Sequence, residues 1–367
     1  MNTFAFDLYG RLAAASDENV FLSPASISTA LAMTYAGARE NTASQMDAVL
    51  HLPERDVHEG FGAMVDHLNA LGEQEKFDLT MANALWGQRD YAFRPQFTEL
   101  LDARYGAGLR LVDFRGETEA ARVAINDWVE EQTNEKIEDL IPPGVLTPLT
   151  RLVLTNAIYF QGTWEHQFNS DSTRPMPFTT AAGNEVETPT MFQEARFRYA
   201  EDETAQCLEM GYQGADMAMT ILLPKQKDGL ADLEKDLDAA ALRQWTERLK
   251  AQKVKVYLPK FTMTTEFQLS GVLAAMGMPD AFRPKQADLS GMDGTKKLFI
   301  HEVVHKAFVD VDETGTEAAA ATGVIVGITS VPPPMPVFRA DHPFLFLIGD
   351  TRSGAVLFVG RLHEPKP

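Results

Sequence analysis

The chain has 367 residues, of which 45% are hydrophobic and 23% are charged, which is ordinary globular composition. Lysine and arginine number 33 against 52 aspartates and glutamates, and the resulting net charge of −19 disfavours binding to nucleic acids and heparin-like polysaccharides. No apolar run approaches the roughly 18 residues of a membrane-spanning helix, so we expect no membrane insertion. The one cysteine, Cys207, excludes an intrachain disulfide.

The N-terminal sequence MNTFAFDLYG lacks a basic start and carries Asp7 early, so it does not have the pattern of a secretory signal peptide. The compartment is left open: extracellular or cell envelope if a signal peptide has been trimmed from the sequence, and cytoplasmic otherwise. The chain has no N-x-S/T glycosylation sequon, which disfavours a eukaryotic secreted glycoprotein and agrees with a prokaryotic source.

Helices are predicted mainly in the first third of the chain. Ser23 is predicted to cap a helix that begins at Pro24 and continues through small and apolar residues to Ala36. Another helix is predicted from about Thr118 to Thr133, where apolar side chains recur at helical spacing. A loop rich in proline and glycine, residues 142–148, ends this region.

Strands recur after residue 150. Leu152 to Phe160 is apolar on both faces, which predicts a strand inside a sheet, and Lys253 to Phe261 alternates like a half-buried strand. Near the end, PFLFLI and AVLFVG flank the turn residues Asp350 to Gly354, which predicts a hairpin. Helices followed by strands indicate the α+β class rather than alternating βαβ units.

The stretch HEVVH, His301 to His305, matches the H-E-x-x-H motif of zinc metallopeptidases. Its flanks read LFIHEVVHKAFVDVD, whose β-branched and aromatic residues predict a strand instead of a helix. Residues four apart in a strand are about 13 Å apart, too far for two imidazoles that each lie ~2.0–2.1 Å from one zinc. We therefore predict no metal site, with the metallopeptidase kept as a remote alternative. One histidine should be buried and hydrogen-bonded, and the other exposed.

The segment DETGTEAAAATGVIVGITSVPPPMPVF, Asp312 to Phe338, has no proline, lysine or arginine between Glu313 and Val331. Every second residue from Thr316 to Ile328 is small or β-branched, the period of a strand with one buried face. Its consecutive alanines and its glycines nevertheless bury little and make a poor permanent strand. The pattern suggests a segment with two states, an exposed loop and an inserted strand; a flexible linker is the alternative.

Five motifs together resemble the serpin family, and the likeness runs over essentially the whole chain. The motifs are FRADHPFLFLI (Phe338 to Ile348), the run from Glu313 to Ala321, NVFLSPASISTALAM (Asn19 to Met33), LTNAIYFQGTW (Leu154 to Trp164) and ADLSGM (Ala287 to Met292). The resemblance implies an α+β fold, a single serpin domain over residues 1–367 in which helices pack on three β-sheets. It also implies an exposed reactive-centre loop at about residues 313–338.

The resemblance further implies an inhibitor of serine proteases rather than an enzyme. In the family, a protease cleaves the exposed loop, and the loop then enters the main sheet as a new strand that distorts the trapped protease. A strand from Thr316 to Ile328 would span about 43 Å at ~3.3 Å per residue. About a dozen new hydrogen bonds, each worth ~0.5–1.5 kcal/mol, could drive the insertion. A non-inhibitory serpin, acting as carrier or chaperone, is the alternative that the alanines disfavour.

The family motifs assign roles to individual residues. Counting from Gly315 places the cleaved bond at Thr329–Ser330, with Ile328 next to it. Counting back from Pro343 gives a different bond, because VPPPMPVFRAD is a few residues longer than usual. The hinge residues of the loop are Glu313, Gly315, Thr316, Glu317, Ala318, Ala319, Ala320 and Ala321. The shutter residues, which hydrogen-bond beneath the sheet, are Ser23, Ser26, Asn156 and His305, and Trp164 is the breach residue where the loop enters.

Without the family, plainer interpretations apply to the same residues. Ser23 would be only a helix cap, Asn156 a satisfied buried amide and Trp164 a core side chain. His301 is given no role.

We expect no catalytic residue, cofactor or metal, and a monomer whose partner is a target protease. Thr329 or Ile328 suits elastase-like or subtilisin-like serine proteases, with a cysteine protease as a further option. Trypsin-like targets are disfavoured, since no basic residue lies between Glu313 and Phe338. Nucleic acid, heparin and membranes are not expected as partners.

Overall fold

The computed structural model describes residues 1–72, 77–106, 108–214, 216–315 and 335–366. The helices within these ranges are α1 (Asn2–Ala14), α2 (Pro24–Tyr35), α3 (Glu40–Leu50), α4 (Val57–Gly72), α5 (Pro95–Tyr105), α6 (Thr118–Gln132), α7 (Leu230–Lys235), α8 (Ala239–Arg248), α9 (Ser270–Met276) and α10 (Ser290–Asp293). The described part contains no helix that is both long and apolar enough to cross a membrane.

The strands are β1 (Val20–Leu22), β2 (Phe77–Gln88), β3 (Leu109–Val112), β4 (Leu152–Gly162), β5 (Arg174–Thr179), β6 (Glu185–Glu201), β7 (Ala205–Gly211), β8 (Met217–Pro224), β9 (Lys250–Pro259), β10 (Phe261–Gln268), β11 (Glu302–Val311), β12 (Val337–Arg339), β13 (Phe344–Asp350) and β14 (Val356–Leu362). Helices dominate the first third of the chain and most strands follow residue 150, with the short helices α7 to α10 among them. The α+β class is confirmed.

The elements predicted from sequence are present, with small changes at their ends. Ser23 caps α2, where its side chain accepts a hydrogen bond from the Ser26 N–H, and Pro24 is the first helical residue. The second predicted helix is α6. The strands predicted near residues 152 and 253 are β4 and β9. The predicted hairpin is formed by β13 and β14. The strand β11 contains most of HEVVH, which confirms that the motif is not helical.

The first compact unit comprises Met1–Leu12, Leu22–Phe160 and Thr264–Phe308. An apolar cluster lies beneath α6, where Ile125 and Val129 of the helix are buried together with Ala84 of β2, Val153 of β4 and Val304 of β11. The apolar side chains of α6 recur at helical spacing because that face of the helix packs on a sheet.

A five-stranded sheet has the order β10-β11-β4-β2-β3. β4 and β11 are neighbours and run in the same direction, since hydrogen bonds join their starts and their ends. The His301 N–H donates to the Leu152 carbonyl at 2.9 Å, and the Trp164 N–H donates to the Thr314 carbonyl at 3.2 Å. We refer to the boundary between these two strands as the β4–β11 junction.

The second compact unit comprises the described residues of Ala13–Phe21, Gln161–Met263 and Val309–Pro367. It holds a larger sheet with the order β1-β14-β13-β8-β7-β6-β9-β12, to which β5 is added on β6. β6 is 17 residues long and pairs with β5 through residues 185–190 and with β9 through residues 190–199. Because this long strand joins both partners, the described strands form two hydrogen-bonded sheets, whereas the family resemblance implied three.

Candidate functional site

The four predicted shutter residues meet in one buried hydrogen-bond network. Ser23 caps α2 and Ser26 lies in its first turn, whereas Asn156 lies in the middle of β4 and His305 in the middle of β11. Each is fully buried. The network therefore spans the β4–β11 junction, with α2 on one side of it.

The partners of His305 fix its tautomer. The Ser23 N–H donates to His305 Nε2 at 3.2 Å, so Nε2 must be the unprotonated nitrogen. The other ring nitrogen, Nδ1, then carries the proton and donates it to the Oδ1 atom of Asn156. The ring also stacks on Phe267, with the planes 5° apart. His305 is thus a neutral imidazole with both nitrogens satisfied.

Burial keeps this imidazole neutral. Desolvation lowers the pKa of His305 to about 3, and the hydrogen bond with Asn156 opposes this only in part. Protonation of Nε2 would point a second N–H at the Ser23 N–H and break that bond. The shutter is therefore stable only with an uncharged His305.

Asn83 is a further member of the network that sequence reasoning missed. Its side-chain oxygen accepts from the Ser26 hydroxyl at 3.0 Å and from the Asn156 amide, and its Nδ2 donates to the Ser26 carbonyl at 3.3 Å. Asn83 lies on β2, a strand that the sequence analysis did not predict. The available signal was a lone asparagine within the apolar run MANALW.

The hinge begins where β11 ends, and its first residues pack against the end of β4. Gly315 has a φ of +60°, and a Cβ atom there would lie 2.2 Å from the Gly162 carbonyl oxygen. Only glycine fits this position, because both the backbone conformation and the space exclude a side chain. The chain before residue 316 is therefore held at the end of the β4–β11 junction.

Glu313 anchors the hinge through a hydrogen-bonded ion pair. Its carboxylate accepts from Lys260 Nζ at 2.6 Å and from the Thr173 hydroxyl at 2.7 Å. Burial alone would raise the pKa of Glu313, but the hydrogen bonds from Lys260 and Thr173 outweigh it and hold the pKa below its ordinary value. We call Glu313, Lys260 and Thr173 the hinge clamp; the family resemblance pointed to Glu313 but not to its two partners.

Trp164, the predicted breach residue, lies in the same place. It is 1% exposed, its Nε1 donates to the Asp312 carbonyl at 3.0 Å, and its ring stacks on Tyr212 with centroids 4.5 Å apart. The indole thus fastens the end of β11, just before the hinge clamp.

The chain that follows the predicted loop is anchored on the larger sheet. β12 pairs in parallel with β9, and the Pro336 carbonyl accepts from the Lys255 N–H at 3.0 Å. Arg339 lies over the Tyr257 ring, 4.2 Å from its centroid. The hinge residues Thr316, Glu317, Ala318, Ala319, Ala320 and Ala321 and the bond residues Ile328, Thr329 and Ser330 lie outside the described residues.

The two histidines of HEVVH have separate surroundings. His301 is half-buried rather than exposed, because its Nε2 donates to the Val145 carbonyl at 3.1 Å. His305 is enclosed in the shutter. Within the described ranges, no group of three histidine, cysteine, aspartate or glutamate side chains could hold a metal ion.

A family model described as "Serpin (serine protease inhibitor)" matches residues 1–365. The chain belongs to the serpin family. The bovine (Bos taurus) leukocyte elastase inhibitor is 43% identical, over 99% of this chain and 97% of that protein. Among solved structures, uncleaved ovalbumin has a TM-score of 0.89 at 32% identity, covering 99% of this chain and 98% of that one. Serpin48 of the insect Tenebrio molitor, described as a highly specific serpin, has a TM-score of 0.86 at 34% identity, covering 100% and 97%.

Proposed function

We propose that this serpin inhibits proteases as a suicide substrate. A protease attacks the loop at Thr329–Ser330, and the freed segment that begins at Thr316 enters the sheet between β4 and β11. The observation that carries the proposal is the position of Gly315, which leaves β11 and packs on the last backbone groups of β4. If the chain reversed direction after Gly315, the following segment would run back along the β4–β11 junction, antiparallel to both strands.

The lengths of the elements support this placement. β4 has 11 residues and β11 has 10, so the junction is roughly 36 Å long at ~3.3 Å per residue. The segment from Thr316 to Ile328, at about 43 Å, is long enough to fill it. It contains no proline, so each of its N–H groups can donate to a neighbouring strand.

Insertion requires the shutter to open. A new strand would move β4 and β11 from about 4.8 Å to about 9.6 Å apart, which breaks the hydrogen bond between His305 and Asn156. Opening breaks the ladder of hydrogen bonds between β4 and β11 as well as the shutter bonds, each worth ~0.5–1.5 kcal/mol. The inserted strand pairs along both of its edges, so it replaces one ladder by two. The balance favours insertion once cleavage has freed the segment.

The proposed targets are elastase-like and subtilisin-like serine proteases. Thr329 and Ile328 suit small to medium apolar specificity pockets, and no basic residue lies between Glu313 and Phe338. The name of the bovine relative, an inhibitor of leukocyte elastase, supports the elastase-like class.

The test is incubation with an elastase, a subtilisin and a trypsin, followed by denaturing electrophoresis and sequencing of the released C-terminal peptide. We expect a denaturant-resistant complex with the first two proteases and a peptide that begins at Ser330. Cleaved serpin beside fully active protease in every case would refute inhibition and favour the non-inhibitory alternative. Zinc bound to the purified protein would revive the metallopeptidase.

A further inference from the structure

A basic surface lies on a sheet face of this strongly acidic protein. β6 and β9 pair so that Arg196 is opposite Lys253 and Glu194 is opposite Lys255, while β12 adds Arg339 opposite Tyr257. The intervening residues of β9 are buried, so these side chains share the outer face. We call Arg196, Lys253, Lys255 and Arg339 the basic face. Its net charge is +2 after Glu194 and Asp341, whose carboxylate interacts with Arg339, are subtracted, against −19 for the chain.

The charges of the basic face are neutralised only in part. Lys253 pairs with Glu194 at 3.5 Å, with 63% of the Lys253 side chain exposed, and Arg339 interacts with the Asp341 carboxylate, whereas Arg196 and Lys255 have no ion pair among the described residues. Arg196 donates to the Ala251 carbonyl at 3.2 Å. Arg196 directly opposite Lys253 places like charges side by side, which destabilises the strand pair. An arrangement that costs stability and leaves charge exposed is better explained by recognition than by folding.

Two aromatic side chains complete the face. Phe192 and Tyr257 are half-buried, with ring centroids 4.8 Å apart, and Arg339 covers the Tyr257 ring. Aromatic residues and arginines are the types enriched in protein–protein interfaces, because they bury area and still form hydrogen bonds.

β12, at one edge of the basic face, follows the loop closely in sequence. Val337 of β12 is seven positions after Ser330, so the proposed cleavage bond is within about 25 Å of Val337 at up to ~3.6 Å per residue. A protease of about 220 residues has a radius of roughly 20 Å. A protease bound at Thr329–Ser330 therefore has surface within reach of the basic face, on the side of its cleft that holds the leaving group.

We propose that the basic face is a docking site for an acidic surface on the target protease. This inference rests on the proposed function and adds a second determinant of specificity: among proteases whose pockets accept Thr329, those with an acidic surface beside the leaving-group side are captured faster. Charge complementarity acts on the association rate, which electrostatic steering raises by 10–10³-fold.

The test compares Arg196→Glu/Lys255→Glu with Lys235→Glu/Arg352→Glu, a control with the same change in net charge at exposed residues that are not part of the basic face. Two forms of one subtilisin serve as probes, carrying added aspartates or added lysines at the same positions beside the leaving-group side. The rate of loop cleavage is measured from the C-terminal fragment, which needs no inhibition, so failure of the inhibitory mechanism remains distinguishable. Thermal unfolding verifies that both variants are folded.

We expect the double variant at the face to slow cleavage by the aspartate form by about tenfold or more at low salt, and the control to change it less than about twofold. The difference should shrink at about 0.5 M salt, and the lysine form should not be slowed. Equal slowing by both variants, or by neither, would overturn the proposal. So would a difference that appears only when a sulfated polysaccharide is added, because the partner would then be the polyanion.

Discussion

The Glu313→Lys substitution reverses the charge at the centre of the hinge clamp. The carboxylate is lost from a pair in which Glu313 is 11% exposed and Lys260 is 34% exposed. Charge-assisted hydrogen bonds contribute ~1.5–3 kcal/mol to stability, and fully exposed ion pairs only ~0–1 kcal/mol. We therefore expect the neutral Glu313→Gln variant to lose about 2 kcal/mol of unfolding free energy. Two like charges 4 Å apart repel by ~4 kcal/mol at an effective dielectric of 20. Lys260 can turn to solvent and relieve part of this repulsion. The total loss in the free energy of unfolding is then about 4 kcal/mol for Glu313→Lys.

These free energies convert into melting temperatures. An unfolding entropy of ~2.1 cal/mol/K per residue gives roughly 0.8 kcal/mol/K for this chain. Differential scanning calorimetry should therefore show a fall of about 2–3 °C for Glu313→Gln and of about 5 °C for Glu313→Lys. The matched control is Glu187→Lys, the same change at an exposed position of β6, which should shift melting by less than about 1 °C. Equal melting of Glu313→Lys and its control would refute the clamp.

The pH dependence provides a second measure of the same contact. The pKa of Glu313 is held below 4.5 in the folded protein, so its stabilisation is present above pH 4.5 and is lost as the pH falls below it. The stability difference between the wild type and Glu313→Gln should accordingly be full at neutral pH and shrink on acidification below about pH 4.5. A constant difference across that range would show that the carboxylate charge is not what stabilises the hinge.

Three further predictions concern the shutter, the loop and the hinge. Because the pKa of His305 is about 3, below its ordinary 6.5, wild-type stability should fall on acidification from pH 6.5, by about 2 kcal/mol at pH 5, and His305→Asn should flatten that profile in denaturant titrations. Ala320→Pro removes a backbone N–H that the inserted strand would donate to a neighbouring strand, so insertion should stall. The variant should then be cleaved as a substrate without forming a trapped complex. Gly315→Ala should lower the free energy of unfolding by about 3 kcal/mol, since the new methyl group would clash with Gly162 at a positive φ.

Each of these predictions has its own control. His305→Asn with an unchanged pH profile would mean that another group governs acid stability. Ala320→Ser keeps the N–H and the small size, so it should inhibit normally, and loss of inhibition in both variants would contradict the ladder argument. Gly183→Ala shares the positive φ, but the space around it is open, so it isolates the backbone cost of about 1 kcal/mol. Gly315→Ala should exceed it clearly.

The elements that could be predicted from the sequence are those whose residue types or apolar spacing are visible within one strand or helix. β11 was predicted because its β-branched residues continue through HEVVH, and α6 because its buried face recurs at helical spacing. β2 was missed because Ala82 to Gln88 is buried on both faces, which leaves no alternation to detect, and Asn83 was missed with it.

The partners of the hinge clamp could not be predicted for a different reason. Lys260 and Thr173 are 53 and 140 positions from Glu313 in the chain. Lys260 is the single residue between β9 and β10, and Thr173 precedes β5, so only the assembled strands bring them together. The family motif predicts Glu313 as a hinge residue, but the contacts that hold its carboxylate are tertiary.

The hinge clamp and the shutter are chemically different, and the difference is consistent with the opening of the β4–β11 junction that we propose. The hinge clamp uses a charged pair that solvent can reach through Lys260, so its groups are rehydrated when they part. The shutter uses neutral groups, because a charge without solvent access would be costly to leave unpaired. Apolar side chains in place of Asn156 and His305 could not form hydrogen bonds with a new strand beside them. Hydrogen-bonding side chains can pair again with an inserted strand, so under the proposed mechanism a polar shutter lowers the barrier to opening without leaving unsatisfied groups in the final state.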